Sequence, residues 1–91
     1  MIEFEFTVKD ALGLHARPAG GLVKLAQEFE SEGTLTLPRS GKSASLKRLL
    51  ALMSLAVKGG DMVIVTLEGQ DEQQAADAVR HWLEGHLGEK K

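Results

Sequence analysis

The sequence predicts an α+β domain of order βαββαβα, an open-faced β-sandwich in which one four-stranded antiparallel sheet carries three helices on one face. Residues 2–8 alternate apolar and polar side chains, which is typical of a strand with one wet face. Three other stretches repeat apolar residues at helical spacing. Strands with one polar face favour a single antiparallel sheet whose helices all cover the opposite face.

The first strand and the first helix have the clearest patterns. The apolar face of the strand is formed by Ile2, Phe4, Phe6 and Val8. A helix is predicted from Ala16 to Phe29, and Pro18 fits its first turn, where N–H groups have no helical acceptor. Gly20 and Gly21 each weaken a helix by up to about 1 kcal/mol relative to Ala, so stability alone would not select them.

Two short strands and a short helix follow. Thr34 to Leu37 and Lys42 to Leu46 are predicted strands, and the Pro-Arg-Ser-Gly sequence at 38–41 forms the turn between them. A compact helix is predicted from Lys47 to Met53, with Ser45 as its N-cap.

The last third of the chain predicts one strand and one helix. Met62 to Leu67 alternate as the fourth strand, after a break at Gly-Gly-Asp. The final helix begins near Asp71, whose carboxylate suits the positive end of the helix dipole. Its apolar stripe consists of Ala75, Val79, Leu83 and Leu87. Trp82 beside this stripe is expected to fill the core.

Length and composition exclude several classes of protein. The 91 residues fit a single domain over 1–91, and the chain is expected to act as a monomer. A net charge of −2 gives no global basic field to hold nucleic acid or an anionic membrane. The absence of cysteine excludes disulfides and Cys-ligated zinc, and it fits a cytoplasmic protein. No stretch approaches the ~18 apolar residues of a membrane span.

The chemistry is concentrated around His15, at the entrance to the first helix, with Arg17 two residues further on. The unpaired N–H groups of a helix start favour a neutral, nucleophilic imidazole and also favour a dianion attached to it. An arginine adds a forked donor for phosphate oxygens. The residues therefore suit a histidine that accepts and releases a phosphoryl group, although a solvated surface histidine and arginine would give the same pattern.

Three motifs together resemble the HPr family, the histidine-containing phosphocarriers of the bacterial sugar phosphotransferase system. The family's phosphohistidine motif is matched by Gly13-Leu14-His15-Ala16-Arg17-Pro18-Ala19. The other two matches are Gly41-Lys42-Ser43-Ala44-Ser45 before an apolar helix and the ending Glu68-Gly69-Gln70-Asp71-Glu72-Gln73-Gln74-Ala75. The resemblance covers essentially the whole chain and implies the family's open-faced sandwich.

The resemblance implies a covalent relay with no turnover of its own and no cofactor or metal. His15 would accept a phosphoryl group on Nδ1 from enzyme I, which draws it from phosphoenolpyruvate, and would pass it to the IIA domain of a sugar permease. Arg17 would supply the supporting charge. The sugar is not specified, because that selectivity lies in the downstream permease.

The family also implies a docking patch for these partners. The matching residues are Ala16, Gly20, Leu49, Leu50 and Met53. Independently, the segment 46–57 has more apolar residues than one helical stripe on a sheet can bury, and an exposed apolar patch suggests a docking surface. The alternative is that the following segment folds back and covers them.

Two departures from the family pattern stand out. The turn Leu37-Pro38-Arg39-Ser40-Gly41 is about two residues longer than in well-known members. Many members carry a regulatory serine at the start of the middle helix, and the aligned position here is Arg48. The sequence therefore predicts no acceptor for the kinase that modifies that serine.

Other interpretations remain open. One is a regulatory paralogue that uses phosphorylated His15 as a signal. Another is a non-catalytic module that binds RNA or a small effector, although no aromatic-rich strand offers a base-stacking platform. His81 and His86 are five residues apart and are expected to be solvated rather than to bind metal. Lys42, Lys47 and Arg48 could form a local basic rim.

Overall fold

The computed structural model describes residues 1–88, so the last three positions of the predicted domain lie outside the described residues. The element order is βαββαβα, as predicted. The strands are β1 (Ile2–Thr7), β2 (Glu32–Leu37), β3 (Lys42–Ser45) and β4 (Met62–Glu68). The helices are α1 (Ala16–Ala26), α2 (Leu49–Ser54) and α3 (Glu72–Leu87). Within residues 1–88, no helix combines the length and apolar character needed to cross a membrane.

The four strands form one antiparallel sheet in the order β1-β4-β2-β3, which confirms the predicted sheet. The register aligns four buried side chains in a row across its inner face. Val65 of β4 lies opposite Phe4 of β1 on one side and Leu35 of β2 on the other, and Leu35 in turn lies opposite Ala44 of β3. This row forms the sheet side of the hydrophobic core.

The helices cover that inner face. α3 packs on β1 and β4, α2 packs on β3, and α1 contacts both other helices. The outer face of β1 presents Glu3, Glu5 and Thr7 to solvent, so the alternation read from the sequence separates the two faces as predicted. The largest fully buried side chains of the core include Leu22, Leu35, Leu37, Leu46, Leu52, Leu83 and Leu87.

Two helix boundaries differ from the prediction. α1 ends at Ala26 rather than Phe29, because Glu28 and Phe29 donate their N–H groups to carbonyls three residues back in tighter turns. The prediction that Ser45 caps α2 is wrong. The Ser45 hydroxyl accepts the Lys47 N–H at 3.1 Å in the preceding turn, and Arg48 occupies the N-cap position without a side-chain capping bond.

Asp71, at the N-cap of α3, connects that helix to the start of β2. Its carboxylate accepts the N–H groups of Glu30 and Ser31, each at 2.9 Å, and also the hydroxyl of the buried Ser31. The Ser31 hydroxyl, followed by the Glu30 N–H, holds the pKa of Asp71 below its ordinary value. This cluster fixes the beginning of α3, whereas the candidate site lies at its other end.

Candidate functional site

The loop between β1 and α1 is attached by backbone hydrogen bonds to two distant segments. The Lys9 and Asp10 N–H groups donate to the Leu87 carbonyl of α3, at 2.7 and 3.3 Å. The Leu14 N–H donates to the Val57 carbonyl at 3.0 Å. The last turn of α3 and the segment after α2 therefore determine where α1 begins.

Gly13 makes the close approach to Val57 possible. It has a φ of +67°, and a Cβ at this position would lie 2.2 Å from the Val57 carbonyl oxygen. Only glycine avoids both the left-handed strain and the clash. Leu14, the next residue, is buried in the core, and this anchors the chain immediately before His15.

His15 is the N-cap residue of α1, but its side chain makes no capping hydrogen bond and is exposed. Its carbonyl accepts the Ala19 N–H at 2.9 Å, which is the first hydrogen bond of the helix. Pro18 contributes no N–H, so the donors that precede this bond are those of Ala16 and Arg17. The imidazole thus lies at the positive end of an eleven-residue helix, with both ring nitrogens open to chemistry.

Arg17 is exposed in the first turn of the same helix. Within residues 1–88, no carboxylate lies within ion-pair distance of its guanidinium. A guanidinium without a carboxylate partner keeps its forked donors available for an added anion.

His15 and Arg17 lie on the wall of an open cavity of about 500 Å³. Three parts of the chain line it: the β1–α1 loop, the first turns of α1 and the last turns of α3. Its lining consists of Asp10, Leu12, His15, Arg17, Pro18, Gly21, Trp82 and His86. Across the described chain, no group of three or more histidine and carboxylate side chains is arranged to hold a metal ion.

Trp82 and His86 also line the cavity, a position that the sequence does not predict. Their rings stack, with centroids 4.2 Å apart and planes 14° from parallel. Trp82 packs on the core as expected, but it is only half-buried and its other side faces the cavity. The four-residue spacing on α3 indicates that the two rings can meet, but only the fold shows that they meet beside His15.

The residues expected to dock partners are exposed on α2 and at the start of α1. The Leu50 side chain is 81% exposed, and Leu49 and Met53 are each 38% exposed, while Leu52 between them is fully buried. Ala16 is exposed, and Gly20 is half-buried on α1, which packs against α2. The segment after α2 therefore leaves this apolar patch uncovered within residues 1–88.

The predicted basic rim is only partly present. The Lys47 ammonium donates to the Phe29 carbonyl at 2.9 Å, so it holds the end of the α1 segment against the turn before α2. Lys42 and Arg48 are exposed. Lys47 is thus a structural contact, and the charge nearest the start of α2 is that of Arg48.

Comparison with known proteins finds the same family by sequence and by structure. The family model described as "PTS HPr component phosphorylation site" matches residues 2–85. A phosphocarrier protein HPr of Mycoplasma pneumoniae is 40% identical over 86 residues, which cover 94% of this chain and 97% of the relative. One of Lysinibacillus sphaericus is 44% identical, covering 82% and 83% of the two chains. The crystal structure of HPr-C-His from Thermoanaerobacter tengcongensis superposes with a TM-score of 0.88 at 34% identity, and each chain is fully covered.

Proposed function

The chain belongs to the HPr family, the phosphocarriers of the phosphotransferase system, and on that premise we propose that His15 accepts a phosphoryl group from phosphorylated enzyme I and passes it to the IIA domain of a sugar permease. The observation that carries this proposal is the exposed, uncapped imidazole of His15 at the start of α1, beside an Arg17 that has no carboxylate partner within residues 1–88. The whole of 1–91 acts as one carrier domain, as a monomer without turnover of its own.

The transfer forms one bond to phosphorus and breaks another. The lone pair of His15 Nδ1 forms the new bond, while the electron pair of the old bond stays on the donor atom that held the phosphoryl group. The phosphoryl charge is carried across unchanged, so the site has to position and stabilise an anion rather than supply a proton. The Ala16 and Arg17 N–H groups and the Arg17 guanidinium provide that stabilisation.

The partners dock on the apolar patch next to this site. Leu49, Leu50 and Met53 are exposed on α2, and α2 packs against the helix that begins at His15. An exposed apolar patch beside a phosphorylated residue lets a partner bury side chains and bring its own reacting group into line with His15.

The first experiment is incubation with enzyme I and phosphoenolpyruvate, followed by detection of acid-labile phosphate. The wild type should be labelled and His15→Ala should not be, while His81→Ala, the matched exposed histidine on α3, should be labelled normally. Labelling of His15→Ala would contradict the assignment.

Two further steps test the role of Arg17 and the direction of transfer. Arg17→Ala should slow transfer at least about tenfold without changing Tm. Arg17→Lys should restore the positive charge but not the two parallel N–H donors of the guanidinium. Onward transfer to a IIA domain would support the relay. Labelling at His15 without onward transfer to any IIA domain would instead support a regulatory paralogue.

A further inference from the structure

The cavity beside His15 contains a second imidazole that the transfer described above does not use. We infer that protonated His86 is a second phosphate-binding side chain, so that the phosphoryl group on His15 lies between the Arg17 guanidinium and the His86 ring. This inference rests on the proposed phosphorylation of His15, and its ligand is the phosphoryl dianion itself. All three side chains line the same cavity.

The hydrogen bond of His86 determines where its second proton goes. His86 Nδ1 lies 2.9 Å from the Trp82 carbonyl oxygen. A carbonyl can only accept, so Nδ1 carries the proton of the neutral ring. A second proton must then bind Nε2, on the far side of the ring from this bond. Protonation therefore converts Nε2 from an acceptor into a charged donor, which is the form that a phosphate oxygen requires.

The His86 side chain is exposed, but its ring is held by a hydrogen bond and by stacking. It stacks on Trp82, which packs on the core and lies against Gly21 of α1. The next residue, Leu87, is buried, and its carbonyl accepts the N–H groups of Lys9 and Asp10 from the loop that leads to His15. These backbone contacts join the last turn of α3, which carries His86, to the β1–α1 loop that leads to His15.

Phosphorylation of His15 would change the net charge of the cavity that His86 lines. Asp10 lines the cavity from the loop, with Oδ1 accepting the Leu12 N–H at 2.9 Å, while His15 and Arg17 line it from the start of α1. A phosphoryl group adds close to two negative charges to the same cavity, so it should raise the pH at which His86 titrates.

The experiment compares His86 with His81, an exposed histidine on the same helix that does not line the cavity. Phosphoramidate modifies imidazoles without an enzyme, and the product with a single phosphoryl group on His15 is isolated and titrated by NMR. The His86 midpoint should rise by about half a pH unit or more relative to the unmodified protein, with His81 moving by less than about 0.2. Equal movement of the two rings, or no movement of His86, would overturn the inference.

Linkage requires the reciprocal effect on the phosphoryl group. In His86→Gln the ³¹P titration midpoint of phosphorylated His15 should move upward, because a nearby cation that favours the dianion is gone. His81→Gln should match the wild type, and a His86→Gln midpoint equal to that of the wild type would contradict the inference. Because phosphoramidate delivers the phosphoryl group, these results do not depend on enzyme I. Failure of enzyme I to label His15 would count against the proposed function alone.

Discussion

Gly21 of α1 faces the indole of Trp82 so closely that a methyl group on Gly21 would lie 3.1 Å from Cζ2. That distance is shorter than an ordinary carbon–carbon contact. The glycine therefore brings the cavity end of α3 against the helix that carries His15. The neighbouring Gly20 has no such neighbour, since a Cβ there would meet no atom within 4 Å.

These two glycines give a matched pair of alanine substitutions. Gly20→Ala should stabilise the protein by about 0.5–1 kcal/mol, because alanine favours the helix and nothing obstructs it. Gly21→Ala should gain less, because the Trp82 ring must move, and should shift the emission of the protein's single tryptophan. Urea unfolding and fluorescence measure both effects. Equal gains with unchanged emission would show that the indole contact imposes no constraint.

A second prediction concerns the left-handed glycine before His15. Gly13→Ala should lower the free energy of unfolding by at least about 2 kcal/mol, because left-handed strain adds to the clash with the Val57 carbonyl. Gly41→Ala is the control, since Gly41 has a φ of +74° but no atom within 4 Å of its Cβ position. Gly41→Ala should lower the free energy of unfolding by only about 1–2 kcal/mol, from the left-handed strain alone. Chemical denaturation should rank the variants in this order, and the reverse order would contradict the prediction.

The third prediction separates the docking patch from the core. Leu50→Ala should change stability by less than about 0.5 kcal/mol, whereas Leu52→Ala should cost about 2–5 kcal/mol, because only Leu52 is buried. Leu50→Glu should fold normally but bind enzyme I and IIA domains more weakly, as measured by calorimetry. Unimpaired binding of Leu50→Glu would remove Leu50 from the docking surface.

A fourth prediction follows from Arg48, the N-cap residue of α2. The sequence predicts that Arg48 stands where many family members have a regulatory serine, so the kinase of that serine and ATP should add no acid-stable phosphate to the wild type. Arg48→Ser should become a substrate, and it should also gain up to about 1 kcal/mol from a side-chain cap. Mass spectrometry detects and locates any phosphate that the kinase adds. Stoichiometric modification of any serine from Ser43 to Ser54 in the wild type would refute the prediction.

The fifth prediction concerns the stability of the fold at low pH. Hydrogen bonds from the Ser31 hydroxyl and then the Glu30 N–H lower the pKa of Asp71 in the folded protein. Its contribution to stability is therefore complete above the ordinary aspartate pKa of about 3.9 and is lost as the pH falls through the lower folded value. Stability should fall less steeply below pH ~4 in Asp71→Asn than in the wild type. Asp77→Asn on the same helix should follow the wild type, and a similar flattening in Asp77→Asn would contradict the assignment to Asp71.

Short-range patterns in the sequence are enough to predict most of the fold. The alternation from Ile2 to Val8 defines β1 and its inner face because side chains in a strand alternate whatever the rest of the chain does. The start of α2 is not predictable in this way. A serine hydroxyl can satisfy an N–H group in a turn as well as at a helix cap, and Ser45 does the former.

The candidate site is likewise only partly predictable from local sequence patterns. His15 and Arg17 are only two residues apart in sequence, so their association is visible in the motif itself. His86 joins them only because the end of α3 packs beside the β1–α1 loop, a contact between opposite ends of the chain. No local sequence pattern indicates that contact, because a solvated helix histidine and a histidine that lines a cavity look the same in the sequence.

The order of the strands has a consequence during synthesis on the ribosome. β4 lies between β1 and β2, so the first strand has no partner until residues 62–68 have been made. The loop before His15 is completed later still, when the Leu87 carbonyl becomes available to Lys9 and Asp10. His15 is thus translated before β4 and α3, yet its surroundings are assembled only after both of these elements have emerged. A growing chain that lacks α3 therefore presents an incomplete cavity around His15.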